Sequence, residues 1–200
     1  MASVARGAPL SARADRGNFS ALVEERRFQE LVQRSRSLAH KILQAIPDTH
    51  KSCVYTETLK LNSSENAKLG RMAATIRLPD APVLKVASEN VTVEQSLKQM
   101  HEGLQLQEAS LGSVAPRLEH KEKVMELQAD VRDLAVQISM MLDLLQADSS
   151  SPPSVALHLP GEYEVQVAAH LTLARLQDFG RDVVRCLRIL DRSGEDGADS

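Results

Sequence analysis

Glu126, Asp130 and Asp133 stand four and three residues apart, a spacing that lines three carboxylates along one edge of a helix. Lys123 can pair with Glu126, but neither aspartate has a basic residue three or four positions away. An acidic edge left unneutralised within its own helix suits association with a basic partner. Arg27, Glu30 and Arg34 repeat the same spacing with mixed charge. They read either as a second contact stripe or as an internal charge network. The plainer alternative for both stripes is a charged helix face that stays solvated.

Catalytic chemistry lacks its residues. A di-iron site in a helical bundle needs Glu-x-x-His pairs, and no histidine here has a glutamate three positions before it. His101-Glu102 lacks the second histidine of a zinc-protease motif, and no phosphate-binding loop, dinucleotide glycine pattern or G-x-S-x-G elbow occurs. The six histidines are scattered and read as surface or satisfied core residues, because metal sites need convergent spacing. Cys53 and Cys186 are too few for a disulfide scaffold and lack a C-x-x-C spacing, which leaves the redox compartment open. Cys186 reads as a small buried hydrophobe, and Cys53 has no adjacent His or Arg to activate it. No catalytic residue, metal site or cofactor is assigned. Three N-glycosylation sequons, at Asn18, Asn62 and Asn90, point towards secretion.

Whatever carries these residues is one domain: 200 residues suffice for a single core. Apolar residues make up 42% and charged ones 26%, while aromatics are only 2% and Trp is absent, which favours helices over an aromatic-rich sandwich. The net charge of −3, with signs mixed along the chain, gives no basic stripe for nucleic acid. No apolar run reaches the roughly 18 residues of a membrane span, so membrane insertion is not expected. The opening MASVARGAPLSARADRG carries Arg6, Arg13 and Arg16 but no apolar h-region. The chain is therefore read as either cytosolic or the mature form of a secreted protein.

Four long periodic segments must position the charged edges. The first spans about 18–46 with Phe28, Val32, Ser35, Ala39, Ile42 and Ile46 on one side, and Pro47 is expected to end it. The second opens at the capping box Thr92-Val-Glu-Gln95, carries Leu97, Met100, Leu104 and Leu111, and is closed by Gly112 and Pro116. In the third, Val124, Leu127, Val131, Leu134, Ile138, Met141 and Leu145 form an apolar seam. The fourth follows Pro160-Gly161 and carries Val165, Ala169, Thr172, Leu176, Phe179, Val183, Leu187 and Leu190. Residues 1–17 read as a flexible leading segment, 18–191 as the bundle and 192–200 as a disordered tail.

Helices this long, roughly 30 to 45 Å, make loop length a guide to topology. The first connection, about 45 residues, and the third, about 15, can each return along a whole helix, whereas the short second link can only turn back. The expected fold is all-α: an up-up-down-down, left-handed four-helix bundle with two long overhand crossovers. A short extra helix is expected in the first crossover, Ser64 to Ile76, capped by Ser64. In that arrangement Cys186 lies roughly 35 Å down the bundle from the pole near Cys53, so the two are not expected to bond.

Three segments resemble granulocyte colony-stimulating factors and their relatives among the long-chain helical cytokines of the interleukin-6 superfamily. Leu97-Lys-Gln-Met-His-Glu-Gly-Leu-Gln-Leu106, followed by Val114-Ala-Pro-Arg-Leu118, is similar to that family's L-x-Q-L-H-x-G-L-x-L and I-x-P-x-L. Leu127-Gln-Ala-Asp-Val-Arg-Asp-Leu-Ala-Val-Gln-Ile138 is similar to L-Q-x-D-V-x-D-x-A-x-x-I. Leu176-Gln-Asp-Phe179 and Arg185-Cys-Leu-Arg-Ile-Leu190 are similar to L-Q-x-F and R-x-L-R-x-L. The first segment matches in periodicity and in Cys53 just past its end. The likeness spans roughly Phe28 to Leu190.

The resemblance implies a secreted, extracellular, monomeric growth factor that catalyses nothing. Such a ligand binds the extracellular domains of a class I cytokine receptor, pairs two receptor chains in a 2:2 complex, and drives proliferation and differentiation of granulocytes. It places the main receptor contact on Asp130 and Asp133, joined by Glu30, Arg27 and Arg34, and a second contact on Glu57. The chain departs from the mammalian pattern at Pro47, which stands where the partner of Cys53 would fall; the family's loop disulfides are not expected. Two rival readings are an intracellular helical adaptor and a lipid-binding carrier with amphipathic helices.

Overall fold

The computed structural model describes residues 11–85 and 91–195, with side chains of 11–20, 22, 23 and 192–195 left aside. The described residues are helical or irregular, with no strand among them. The elements are α1 (Ser11–Cys53), a 3₁₀ helix (Ser64–Leu69), α2 (Gly70–Thr75), α3 (Val93–Val114), a 3₁₀ turn (Ala115–Arg117), α4 (Glu122–Leu144) and α5 (Glu162–Glu195). The whole is an all-α helical bundle. None of its described helices is long and apolar enough to cross a membrane.

Pro47 does not end the first helix. It lies inside α1, which continues to Cys53, although proline removes a helical N–H and crowds the preceding turn. The reason is tertiary. Ile46, Thr49, His50 and Cys53 are all buried, each three or four residues from another of the set, so the inward face runs on past the proline, whose own ring stays exposed. Thr49 Oγ1 donates to the carbonyl of Ala45 at 2.8 Å and reinforces that turn. At the chain ends, α1 begins at Ser11, within the stretch read from sequence as a leading segment, and α5 reaches Glu195, past the expected boundary at 191.

Capping explains the other boundaries. Thr92 Oγ1 accepts from the Gln95 N–H at 3.1 Å while Gln95 Oε1 accepts from the Thr92 N–H at 3.1 Å. This is the reciprocal box the sequence announced. Gly112 does not close α3, which passes it and ends at Val114 before a 3₁₀ turn containing Pro116. The extra helix is two pieces rather than one, and Ser63, not Ser64, caps it by accepting from the Glu65 N–H at 3.2 Å. Leu145 falls outside the α4 seam: it is the C-cap, and its side chain is 42% exposed.

α1 packs on α4 and α5, and α3 packs on the same two helices. Along α1 and α4, Ser35 meets Gln137 and Lys41 meets Asp130. Arg36 pairs with Asp191 of α5 at 2.6 Å, and His50 with His170. Residue numbers thus rise along α1 as they fall along both partners. α3 behaves alike: Glu108 and Gly112 lie against Arg132 and Gln128 of α4, and Gly103 lies against Phe179 of α5 while Ser110 shares a crevice with Thr172. A Cβ on Gly103 would clash with the buried Phe179 ring, so glycine lets the aromatic ring fill that crossing. The sequence seams form the core: Ile42, Leu104, Leu134, Ile138, Val183 and Leu187 are each at most 2% exposed.

The two long connections are fastened to the bundle. His158 N–H donates to the Ile76 carbonyl at 2.9 Å, joining one connection to the other. Ser113 and Arg117 donate to the carbonyls of Val155 and Leu159 at 2.6 and 2.8 Å. Arg175 of α5 donates to the carbonyl of Pro79. These bonds satisfy backbone groups that no helix serves.

Candidate functional site

α1 and α4 leave an open groove of about 620 Å³ along their seam, lined by Gln33, Arg34, Lys41, Asp130, Asp133 and Gln137 among others. The core dictates its position. Val131 and Leu134 turn inward, which swings Asp130 and Asp133 to the α1 side of α4, one turn of a helix being 3.6 residues. On α1 the buried Ala39 and Ile42 do the same for Lys41.

Asp130 is not unneutralised. Lys41 Nζ donates to Asp130 Oδ1 at 2.7 Å, with the aspartate side chain only 18% exposed against 65% for the lysine. The Lys41 pKa is raised, first by that hydrogen bond and by the charge of Asp130, and further by Asp133 and Glu126. Local spacing overlooked this partner because it comes from another helix. Asp133 is exposed, and no ion pair among the described residues includes it or Glu126. The expected pairing of Lys123 with Glu126 is therefore absent there, although both line an adjoining groove with Asp48.

The α1 stripe divides. Arg34 shares the groove with both aspartates. Glu30 lies 11 residues before Lys41 on the same face, roughly 16 Å along the axis, and Arg27 lies about a turn beyond it. Arg26 Nε, not Arg27 or Arg34, pairs with Glu30 at 3.4 Å, and both side chains are well exposed. Arg27 and Arg34 are exposed too. Arg34, Asp130 and Asp133 thus share one groove, while Glu30 and Arg27 continue the Arg34 face of α1 beyond it. The sixth, Glu57, is elsewhere.

Glu57 is exposed at the edge of a second groove, of about 380 Å³, which His50, Tyr55, Lys60 and Asn62 also line. Gln166 of α5 positions this turn. Its Oε1 accepts from the N–H of Tyr55 at 2.8 Å and of Thr56 at 3.4 Å, while its Nε2 donates to the Cys53 carbonyl at 2.8 Å. Tyr55 Oη donates to Glu162 at 2.6 Å, which raises the Tyr55 pKa. Nothing in the spacing of the sequence marks Gln166: it sits beside apolar Val165 and Val167.

Cys53 and Cys186 are both buried and form no disulfide. Burial pushes the Cys53 thiol up to about 11, away from nucleophilic reactivity. Asn62 is exposed with φ of 60°, a left-handed conformation that asparagine tolerates, and its Oδ1 accepts from Arg181 at 3.3 Å. The side chain of Asn18 and the whole of Asn90 lie outside the described residues. No protein-family model matches the sequence, and no curated protein matches it.

Proposed function

We propose that this chain is a secreted helical cytokine of the granulocyte colony-stimulating factor type, a monomeric ligand that works by pairing the extracellular domains of a class I receptor and carries out no reaction. The observation that carries the reading is the groove between α1 and α4, where Asp130, Asp133 and Arg34 come together from two helices. A basic receptor surface meets there Asp133, a carboxylate without an ion-pair partner among the described residues, beside one whose lysine can be exchanged for a receptor cation. Glu30 and Arg27 extend this contact along α1. Glu57, on a separate groove, is the second contact.

The bundle order up-up-down-down, left-handed, with two overhand crossovers belongs to the same proposal. Its support is the opposed register of α1 and α3 against α4 and α5. Secretion draws on the three sequons, of which Asn62 is presented on an exposed turn. The test is titration of the chain against the extracellular part of a granulocyte colony-stimulating factor receptor, recording mass and stoichiometry. A 2:2 complex lost on Asp133→Ala supports the proposal. Failure to bind at micromolar concentrations, or binding indifferent to Asp130 and Asp133, overturns it.

A further inference from the structure

A polar chain, buried at His50 and His170 and half-buried at Asn66, joins three elements that lie far apart in the sequence. His50 Nε2 lies 2.9 Å from His170 Nδ1, and His170 Nε2 lies 2.8 Å from Asn66 Oδ1. The rings meet edge to face, centroids 5.1 Å apart. His50 belongs to the end of α1, His170 to α5, and Asn66 to the 3₁₀ helix of the first connection. His170 is 0% and His50 8% exposed.

The protons can be assigned. Asn66 Nδ2 donates to the Lys60 carbonyl at 3.4 Å, so Oδ1 is the atom facing His170 and accepts from its Nε2–H. His170 Nδ1 is then an acceptor, and His50 Nε2–H donates to it. His170 is neutral in this arrangement, and burial favours the neutral form of His50 as well. A proton added to His170 Nδ1 would face the His50 N–H, donor against donor, unless His50 changed tautomer. The charge would still sit in a fully buried ring.

Among the described residues no carboxylate raises the pKa of either ring. On α1 the neighbouring charges are the exposed Asp48 and Lys51; on the connection they are Glu57 and Lys60, with Glu65 already paired to Lys68 at 2.7 Å. Arg71 and Arg77, in and after α2, and His158 of the later connection are exposed. On α5, Glu162 bonds to Tyr55, Arg175 turns to the Pro79 carbonyl, and Asp178 pairs with Arg181 at 3.1 Å. Burial lowers the pKa of both rings, and His50 lowers His170 further, to about 4.

We infer that His50, His170 and Asn66 form an acid-released clasp that holds the first connection against the bundle while both imidazoles are neutral. The sign follows from linkage. A ring whose pKa is lowered in the closed form stabilises that form fully above its ordinary value near 6.5 and progressively less as pH falls towards 4. Opening the connection exposes the rings, which then take up protons. The inference concerns the free chain and does not rest on the receptor reading.

The test is amide hydrogen exchange of segment 64–75 at pH 7 and pH 5, corrected for intrinsic exchange and referred to α3 and α4. Opening of 64–75 should increase at least about tenfold at pH 5, by a clearly larger factor than in α3 and α4. Asn66→Ala removes the loop's anchor without touching the helical core. In that variant the segment should exchange rapidly at both pH values, with a much smaller change in α3 and α4. Equal protection of wild-type 64–75 at the two pH values overturns the inference. So does a pH step that survives in Asn66→Ala, or acceleration shared equally by α3 and α4.

Discussion

The α1–α4 groove and the pole around His170 use polar residues in opposite ways. In the groove, Lys41, Arg34 and Asp133 are charged and exposed, held in place by a core they do not enter. At the pole, His170, Gln166 and His50 are neutral and buried, and their hydrogen bonds hold a connection that has no disulfide. Exposed charges contribute little to folding and remain available to a partner. Buried neutral groups are costly when unpaired and constrain geometry when paired. Substituting the groove should therefore change association, and substituting the pole should change stability.

The sharpest contrast lies between adjacent residues of α4. Leu134 is 2% exposed, and Leu134→Ala should destabilise the bundle by about 2 to 5 kcal/mol through lost burial and a cavity. Asp133→Ala, one residue away and exposed, should change stability by less than about 0.5 kcal/mol. On the proposed receptor reading the order reverses in titration: Asp133→Ala would leave a receptor cation unpaired and should weaken binding at least about thirtyfold, a loss of about 2 kcal/mol. Thermal unfolding and titration of both variants decide the matter. If Asp133→Ala unfolds as Leu134→Ala does, the groove is part of the core and the contrast fails.

Acid should act on the pole and spare the groove. Because the His170 pKa falls from 6.5 to about 4 on folding, the stability it contributes is complete above about 6.5 and declines as pH drops towards 4. The decline is at most about 3 kcal/mol, at 1.36 kcal/mol per unit. Chemical denaturation at pH 7, 6 and 5 measures it, and His170→Gln should flatten the curve. His101, also buried with a lowered pKa and a partnerless Nδ1, adds a smaller decline in the same direction, which survives in that variant. A somewhat smaller loss, about 1 to 3 kcal/mol, is expected for Gln166→Ala, which strands the Cys53 carbonyl and the Tyr55 N–H. Unfolding curves unchanged in that variant would show the Gln166 bonds to be replaceable by water.

The same contrast explains what was legible in the sequence. Period-3.6 seams come from local spacing, so Val131, Leu134 and Ile138 announced the inward face of α4, and the Thr92 box announced the start of α3. Pro47 misled because local propensity argues for a stop, while burial of Thr49, His50 and Cys53 across the proline overrides it. The aspartates were visible as an edge; Lys41 was not, since the lysine lies 89 residues from Asp130 along the chain and spacing rules reach only four. Gln166, His50 and His170 carry no pattern at all. Their partners are set by tertiary contact, and each alone reads as an ordinary polar residue on a helix.

The smallest predicted effect tests the groove most closely. Lys41 is exposed and neutralises Asp130 from across the seam, so Lys41→Ala should leave the unfolding midpoint unchanged within error, as exposed ion pairs usually do. Its effect on binding depends on what the lysine does. If Lys41 only occupies Asp130, a receptor cation must displace it, and removal should strengthen binding by about two- to threefold, because the partner no longer competes for the carboxylate. The gain should shrink at high salt, where charges separated by more than a few ångströms are screened. Titrations at low salt and at about 0.5 M salt measure both. A tenfold loss on Lys41→Ala would instead make the lysine itself a contact, and Asp130 would then be its positioning partner rather than the group that meets the receptor.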